Sequence, residues 1–108
     1  MSGDCDVEGD CVSSANHPDN HGNNEECDIT MLRDAVLTPH NVFNLEAGWD
    51  HLTILGVSIT SSDQVPHTLN AGTTFTWASD GSVNNEGWEI CFSEYRIFSI
   101  YRRPFPCL

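Results

Sequence analysis

The clearest alternation of apolar and polar residues lies between residues 73 and 92. Its apolar positions are Phe75, Trp77, Trp88, Ile90 and Phe92. Apolar residues two apart are typical of half-buried β-strands. Residues 79–87 are rich in Ser, Asn, Asp and Gly, which favour turns. The pattern predicts a hairpin with a carboxylate, Asp80, in its loop, although an ordinary core hairpin with a solvated loop would have the same pattern.

Weaker alternation predicts further strands along the chain. These are residues 27–32, 35–46 with a break at Pro39, and 52–59. No segment has the 3.6-residue period of an amphipathic helix. Short strands separated by turn-rich loops in a chain of 108 residues predict one domain, an all-β sandwich or barrel.

The two ends of the chain differ in composition from the middle. Residues 1–27 contain seven acidic residues, three cysteines and neither Lys nor Arg, so we expect loops that crosslinks hold to the rest of the domain. Residues 94–108 contain three of the four arginines together with Cys107. This tail could be one more strand, a linker, or sequence beyond the domain.

The charge of the chain limits its partners. There are 16 acidic residues, four arginines and no lysine, which gives a formal net charge of −12. Nucleic acids and anionic membranes need basic contacts, so neither is an expected partner. A cationic partner or a divalent metal suits this charge. No apolar run approaches the roughly 18 residues that a membrane-spanning helix needs.

The five cysteines form no CxxC pair, and in so short a chain they predict disulfides and an oxidising compartment. The acidic first residues do not have the features of a signal peptide. We therefore expect a segment of a longer secreted or membrane-anchored, multidomain protein. A cytosolic protein with reduced thiols is the alternative.

Three carboxylates are candidate ligands for a cation. Glu46 and Asp50 bracket a tight turn, and Asp80 heads the loop after a predicted strand. If these ends lie together, the carboxylates repel one another and a cation such as Ca²⁺ is their natural partner, with an oxygen of Ser82 as a further ligand. Three separate, solvated loop acids are the alternative.

The sequence contains little that suggests catalysis. His17 and His21 are four residues apart, but Pro18 and Gly22 indicate a loop rather than a zinc-binding helix, and there is no HExxH motif. There is also no GxSxG motif. A zinc hydrolase using the two histidines is a minor alternative, and we expect no enzymatic activity.

Taken in order, these residues resemble a CUB domain, an extracellular β-sandwich module. Residues 14–18, followed by His21 and Cys27, resemble its opening SPNYP…Y…C. Residues 42–46 and 49–54, VFNLE and WDHLTI, are similar to its FxLE and YDxLxI. Residues 77–82 and 87–88, WASDGS and GW, are similar to its FxSDxS and GF.

The resemblance implies a CUB-like antiparallel β-sandwich of the jelly-roll type over residues 5–93. In calcium-binding CUB domains the matching acids hold the metal, which implies Glu46, Asp50 and Asp80 here, with oxygens from Ser82 and Val83. It also implies an extracellular recognition module in which a basic side chain of a protein ligand contacts the calcium-ordered loops. A calcium-independent module that binds a glycan or a protein is the alternative.

The family pattern also implies Cys5–Cys27, which leaves Cys11 with Cys91 and Cys107 free. The residues alone permit other pairings. Alternation places Cys91 opposite the inward face, so this second bridge would strap the N-terminal segment across the outside of a sheet. His17 and His21 replace the two family tyrosines, the second of which usually supports the calcium-binding glutamate.

Overall fold

The computed structural model describes residues 2–46, 48–81 and 85–94. Within these ranges the chain forms ten strands and one 3₁₀ turn, Ser62–Gln64. The strands are β1 (Ser2–Gly3), β2 (Asp6–Glu8), β3 (Cys11–Ser13), β4 (Glu26–Thr30), β5 (Ala35–Pro39), β6 (His51–Ile54), β7 (Val57–Ile59), β8 (Thr68–Leu69), β9 (Thr74–Ala78) and β10 (Glu89–Glu94).

The strands form two five-stranded antiparallel sheets that pack against each other. The first sheet has the order β1-β4-β9-β6-β7, and the second has the order β2-β3-β10-β5-β8. The predicted all-β sandwich is therefore confirmed. Neighbours in space are seldom neighbours in sequence, so most of the pairing is long-range.

The core lies between the sheets because their facing strands alternate apolar and polar residues. In β4, Cys27 and Ile29 are buried while the alternate residues Glu26, Asp28 and Thr30 are exposed. In β9, Phe75 and Trp77 are buried in the same way. Ile90 of β10, in the second sheet, is fully buried and packs in the same core. A buried side chain of this size contributes roughly 1.5–3 kcal/mol to folding.

The predicted hairpin between residues 73 and 92 is wrong. β9 pairs with β4 and β6 in the first sheet, whereas β10 pairs with β3 and β5 in the second. The loop after β9 therefore crosses from one sheet to the other. Both strands bury their apolar face, and two such faces cover each other only when they lie in opposite sheets.

Residues 52–59 form two strands rather than the single strand that the sequence predicts. β6 and β7 pair antiparallel, and Leu55 and Gly56 form the turn between them. Both turn residues have positive φ, 54° and 78°, as a two-residue hairpin turn of the primed type requires. Leucine is not a residue that typically indicates such a turn. The sequence alternation therefore looks continuous across it, as if residues 52–59 were one strand.

The N-terminal segment is more ordered than its composition predicts, because it contributes three short strands. β2 forms the edge of the second sheet and exposes Asp6 and Glu8, whose charges oppose pairing with another edge. The structure contains both disulfides, Cys5–Cys27 and Cys11–Cys91. Cys11 and Cys91 are direct partners in neighbouring strands, so this bridge lies within the sheet rather than across it.

The described strands extend from Ser2 to Glu94. The domain limits of 5–93 and the separate tail of 94–108 stay predictions. Residues 95–108, including Cys107, lie outside the described residues. No helix in the described ranges is long and apolar enough to cross a membrane.

Candidate metal centre

Three carboxylates from two neighbouring strand ends meet at one end of the first sheet. β6 and β9 are adjacent, and His51 pairs with Ala78 at that end. The turn before β6 carries Glu46 and Asp50, and the loop after β9 carries Asp80. One oxygen of each of the three carboxylates lies within 4.8 Å of the others. The structure thus brings together the three acids that the sequence singled out.

The turn that carries Glu46 and Asp50 is closed by its own hydrogen bonds. The Glu46 carbonyl oxygen accepts bonds from Trp49 N at 3.1 Å and from Asp50 N at 2.9 Å. In return, Asp50 Oδ2 accepts a bond from Glu46 N at 3.0 Å. Gly48 has φ +87°, a left-handed conformation that other residues rarely adopt. These contacts fix the two carboxylates relative to each other.

Asp50 is the centre of the site because its side chain is fully buried and bonded to three segments. Besides Glu46 N, its Oδ2 lies 3.2 Å from His21 Nε2. Its Oδ1 accepts a bond from Asp80 N at 3.4 Å. A buried carboxylate needs such donors to replace its hydration. Asp50 therefore positions the other two acids as well as offering its own oxygens.

Glu46 is the least satisfied of the three acids. Desolvation raises its pKa above the ordinary value of 4.5, and the charges of Asp80 and Asp50, together with a hydrogen bond to Asp80, raise it further. His21 lowers this pKa in part. Glu46 Oε1 is buried and has no hydrogen-bond partner among the described residues. A divalent cation would relieve the repulsion and give this oxygen a partner.

His21 belongs to the site, although its sequence context indicated an ordinary loop histidine. Its ring is buried, Nε2 faces Asp50, and Nδ1 lies 2.9 Å from the carbonyl oxygen of Gly22. It also meets Trp77 edge to face, with centroids 5.2 Å apart. The resemblance assigns this position a tyrosine that supports the glutamate, whereas the bond of His21 goes to Asp50. That resemblance was the only sequence signal for its role.

Glu25, which the sequence did not single out, holds the loop in which His21 lies. Its Oε1 accepts bonds from Trp77 Nε1 at 3.1 Å and Ala15 N at 3.3 Å, and its Oε2 accepts a short bond from Gly22 N. Ser79 Oγ accepts a bond from Glu25 N at 2.8 Å and donates to Gly22 O at 2.9 Å. This buried network ties the histidine loop to the end of β9.

The remaining predicted ligands, Ser82 and Val83, lie outside the described residues. Asp80 itself is held by its backbone, because its carbonyl oxygen accepts a bond from Asn24 N at 2.8 Å. His17 and His21 do not form a common site. His21 contacts Asp50, whereas His17 lies in a separate cluster with His40 and Glu89.

No protein-family model, no curated protein and no solved structure gave a match to this chain. Its two disulfides are compatible with an extracellular location.

Proposed function

We propose that this chain is an extracellular calcium-binding module that recognises a protein partner and has no enzymatic activity of its own. The observation that supports a calcium site is that one oxygen each of Glu46, Asp50 and Asp80 lies within 4.8 Å of the others. The same trio follows from the resemblance to calcium-binding CUB domains.

The donor set favours calcium over other biological cations. Ca²⁺ takes six to eight oxygen ligands at 2.3–2.6 Å in flexible geometry, usually with carboxylates, carbonyls and waters together. Glu46 and Asp80 are partly exposed, which leaves room for water. Ser82 and Val83 would add oxygens. Mg²⁺ demands a tighter octahedron and loses its water reluctantly, so it suits this site less well.

A basic side chain of a partner would complete the interface. Calcium would hold the carboxylates in place while they keep part of their negative charge for a Lys or Arg. Trp49 precedes Asp50 and is 63% exposed, although tryptophan is highly buried on average. Its ring offers a surface for the stem or charge of that basic side chain. The net charge of −12 would also attract a cationic partner over distance.

Calcium titration of the oxidised protein tests the metal site. We expect a Kd of roughly 10⁻⁴–10⁻³ M, as in other extracellular modules. At a hundred times Kd, calcium would stabilise the fold by about 2.7 kcal/mol and raise the melting temperature. Asp80→Asn should abolish this rise without unfolding the protein, since the core lies in the strands. Asp28→Asn, which changes an exposed acid on the outer face of β4, is the matched control.

Binding of a lysine-rich peptide, measured with calcium and with a chelator, tests the recognition step. We expect binding that requires calcium and is weakened by Asp80→Asn and by Trp49→Ala. Equal binding in the chelator would instead support the calcium-independent module. Calcium that leaves the melting temperature unchanged at about a hundred times the expected Kd would contradict the metal site itself.

A further inference from the structure

We infer that the protein has a second metal site, formed by His17, His40 and Glu89, and that it takes a transition-metal ion such as Zn²⁺. One ligand atom of each residue lies within 4.8 Å of the others. None of these residues belongs to the proposed calcium site, so the inference is independent of it.

The topology of the second sheet brings the three residues together. Glu89 is the first residue of β10, and its side chain points away from the core because the next residue, Ile90, is fully buried. His40 follows β5, a neighbour of β10, and its N–H donates to Glu89 O at 2.8 Å. His17 lies in the loop after β3, the other neighbour of β10.

The hydrogen bond of His17 sets the tautomer of a metal ligand that binds through Nδ1. Its Nε2 lies 2.8 Å from the carbonyl oxygen of Val42, which can only accept, so this nitrogen carries the proton. The lone pair is therefore on Nδ1. A histidine ligand typically donates its other ring N–H to a carbonyl or carboxylate in this way, which fixes the ring and its tautomer.

His40 needs a change of tautomer before it can bind through Nε2. Its Nδ1 accepts a bond from Val42 N at 3.0 Å, so the proton of the neutral, metal-free ring is on Nε2. Metal binding would move that proton to Nδ1 and break the bond from Val42. His17 and Glu89 are consequently the stronger ligands, and His40 is the weaker third.

The chemistry of the donors selects the ion. Imidazole nitrogens suit Zn²⁺, Cu²⁺ or Ni²⁺, whereas Ca²⁺ prefers oxygen. A polar cleft of about 360 Å³, lined in part by His17, Glu89, Ser13, Asp6 and Glu8, gives solvent access to the site. Water or one of these carboxylates can complete a tetrahedral set. The two sites would thus bind different metals at the same time.

Calorimetric titration of the metal-stripped, oxidised protein with Zn²⁺ in saturating calcium tests this inference. His17→Gln keeps a donor for Val42 O and removes the ligand nitrogen. His40→Asn keeps an acceptor for Val42 N, and Glu89→Gln removes only the charge. His67→Gln, at an exposed histidine outside the cluster, is the control. Melting temperatures without metal establish that each variant is folded.

We expect one Zn²⁺ per chain despite the calcium. His17→Gln and Glu89→Gln should each weaken binding by at least about tenfold, the loss that even an outer partner of a ligand can cause. His40→Asn should weaken it less, and the control should match the unaltered protein. Cobalt should give the intense visible absorption of four-coordinate Co²⁺. Unchanged zinc affinity in His17→Gln and Glu89→Gln, no zinc binding at all, or zinc that calcium displaces would overturn the inference.

Discussion

The indole rings of Trp77 and Trp88 meet edge to face across the sandwich, with centroids 6.0 Å apart and an interplanar angle of 68°. Trp77 belongs to β9 of the first sheet, and Trp88 immediately precedes β10 of the second. The loop between them carries Asp80. The aromatic contact therefore anchors both ends of the segment that delivers one of the three carboxylates to the proposed calcium site.

Trp88→Ala should destabilise the protein by about 3–5 kcal/mol, because the ring is fully buried and its loss leaves a large cavity. A small domain has a total stability of roughly 5–15 kcal/mol, so this variant would keep only a small margin of stability. Trp49→Ala is the matched control and should change little, since that ring is mostly exposed. Denaturant unfolding followed by circular dichroism measures both. Equal midpoints for the two variants would contradict the assignment of Trp88 to the core.

The two disulfides should contribute unequally to stability. They join residues 22 and 80 positions apart. The chain-entropy estimate gives about 3.4 kcal/mol for the shorter loop and about 4.5 kcal/mol for the longer one. The double variant Cys11→Ser/Cys91→Ser should therefore unfold more easily than Cys5→Ser/Cys27→Ser. Thiol counting on the oxidised protein should find one free thiol, Cys107, and a count of three or five would contradict the pairing.

His21→Ala should destabilise the calcium-free protein by about 1–3 kcal/mol, because it removes a buried ring that contacts Asp50 Oδ2 and the Gly22 carbonyl oxygen and leaves a cavity in its place. It should also weaken calcium binding, since Asp50 positions the other two acids. His51→Ala removes an exposed histidine next to the same strand end and is the control. If calcium affinity is the same in both variants, His21 has no part in holding the site.

The alternation of side chains predicted much of the fold, but not the pairing of its strands. Apolar residues at 75, 77, 88 and 90 show which side chains point inward, and all four are buried. The same pattern fits one hairpin or two facing sheets, because alternation contains no information about which strand lies beside which. The close approach of Gly87 to Ser14 is one contact that distinguishes the two facing sheets from a hairpin. The φ of Gly87 is +81°, and a Cβ there would lie 1.9 Å from Ser14 Oγ, a contact that appears only once β3 and β10 are neighbours.

The candidate metal centre could also be predicted only in part from the sequence. Charge and turn position, with the resemblance, were enough to single out Glu46, Asp50 and Asp80. They could not identify Glu25 or the bond between His21 and Asp50, because these contacts join loops that are distant in sequence. His40 and Glu89 are likewise 49 positions apart, and only the pairing of β5 with β10 places them together.

The calcium-induced rise in melting temperature should disappear on mild acidification, and its loss should begin above pH 4.5. Glu46 has a raised pKa in the folded protein, chiefly through desolvation and then through the charges of Asp80 and Asp50. Without calcium, a raised carboxyl pKa contributes stability below the unfolded value of 4.5, and this contribution is lost as the pH rises through the folded pKa. Acidification from neutral pH should thus relieve repulsion in the metal-free site.

With calcium the dependence has the opposite sign, because the ion binds the ionised carboxylates and protons compete with it. The calcium-induced rise in melting temperature should shrink as the pH falls from neutral through the raised pKa of Glu46. Scanning fluorimetry with calcium or a chelator across this range measures this rise.

Glu46→Gln should lose the calcium response and make the metal-free protein more stable than wild type at neutral pH, since one of three repelling charges is gone. Glu26→Gln, an exposed acid on β4, should do neither. A calcium-induced rise that persists undiminished below pH 4.5 would show that Glu46 is not a ligand.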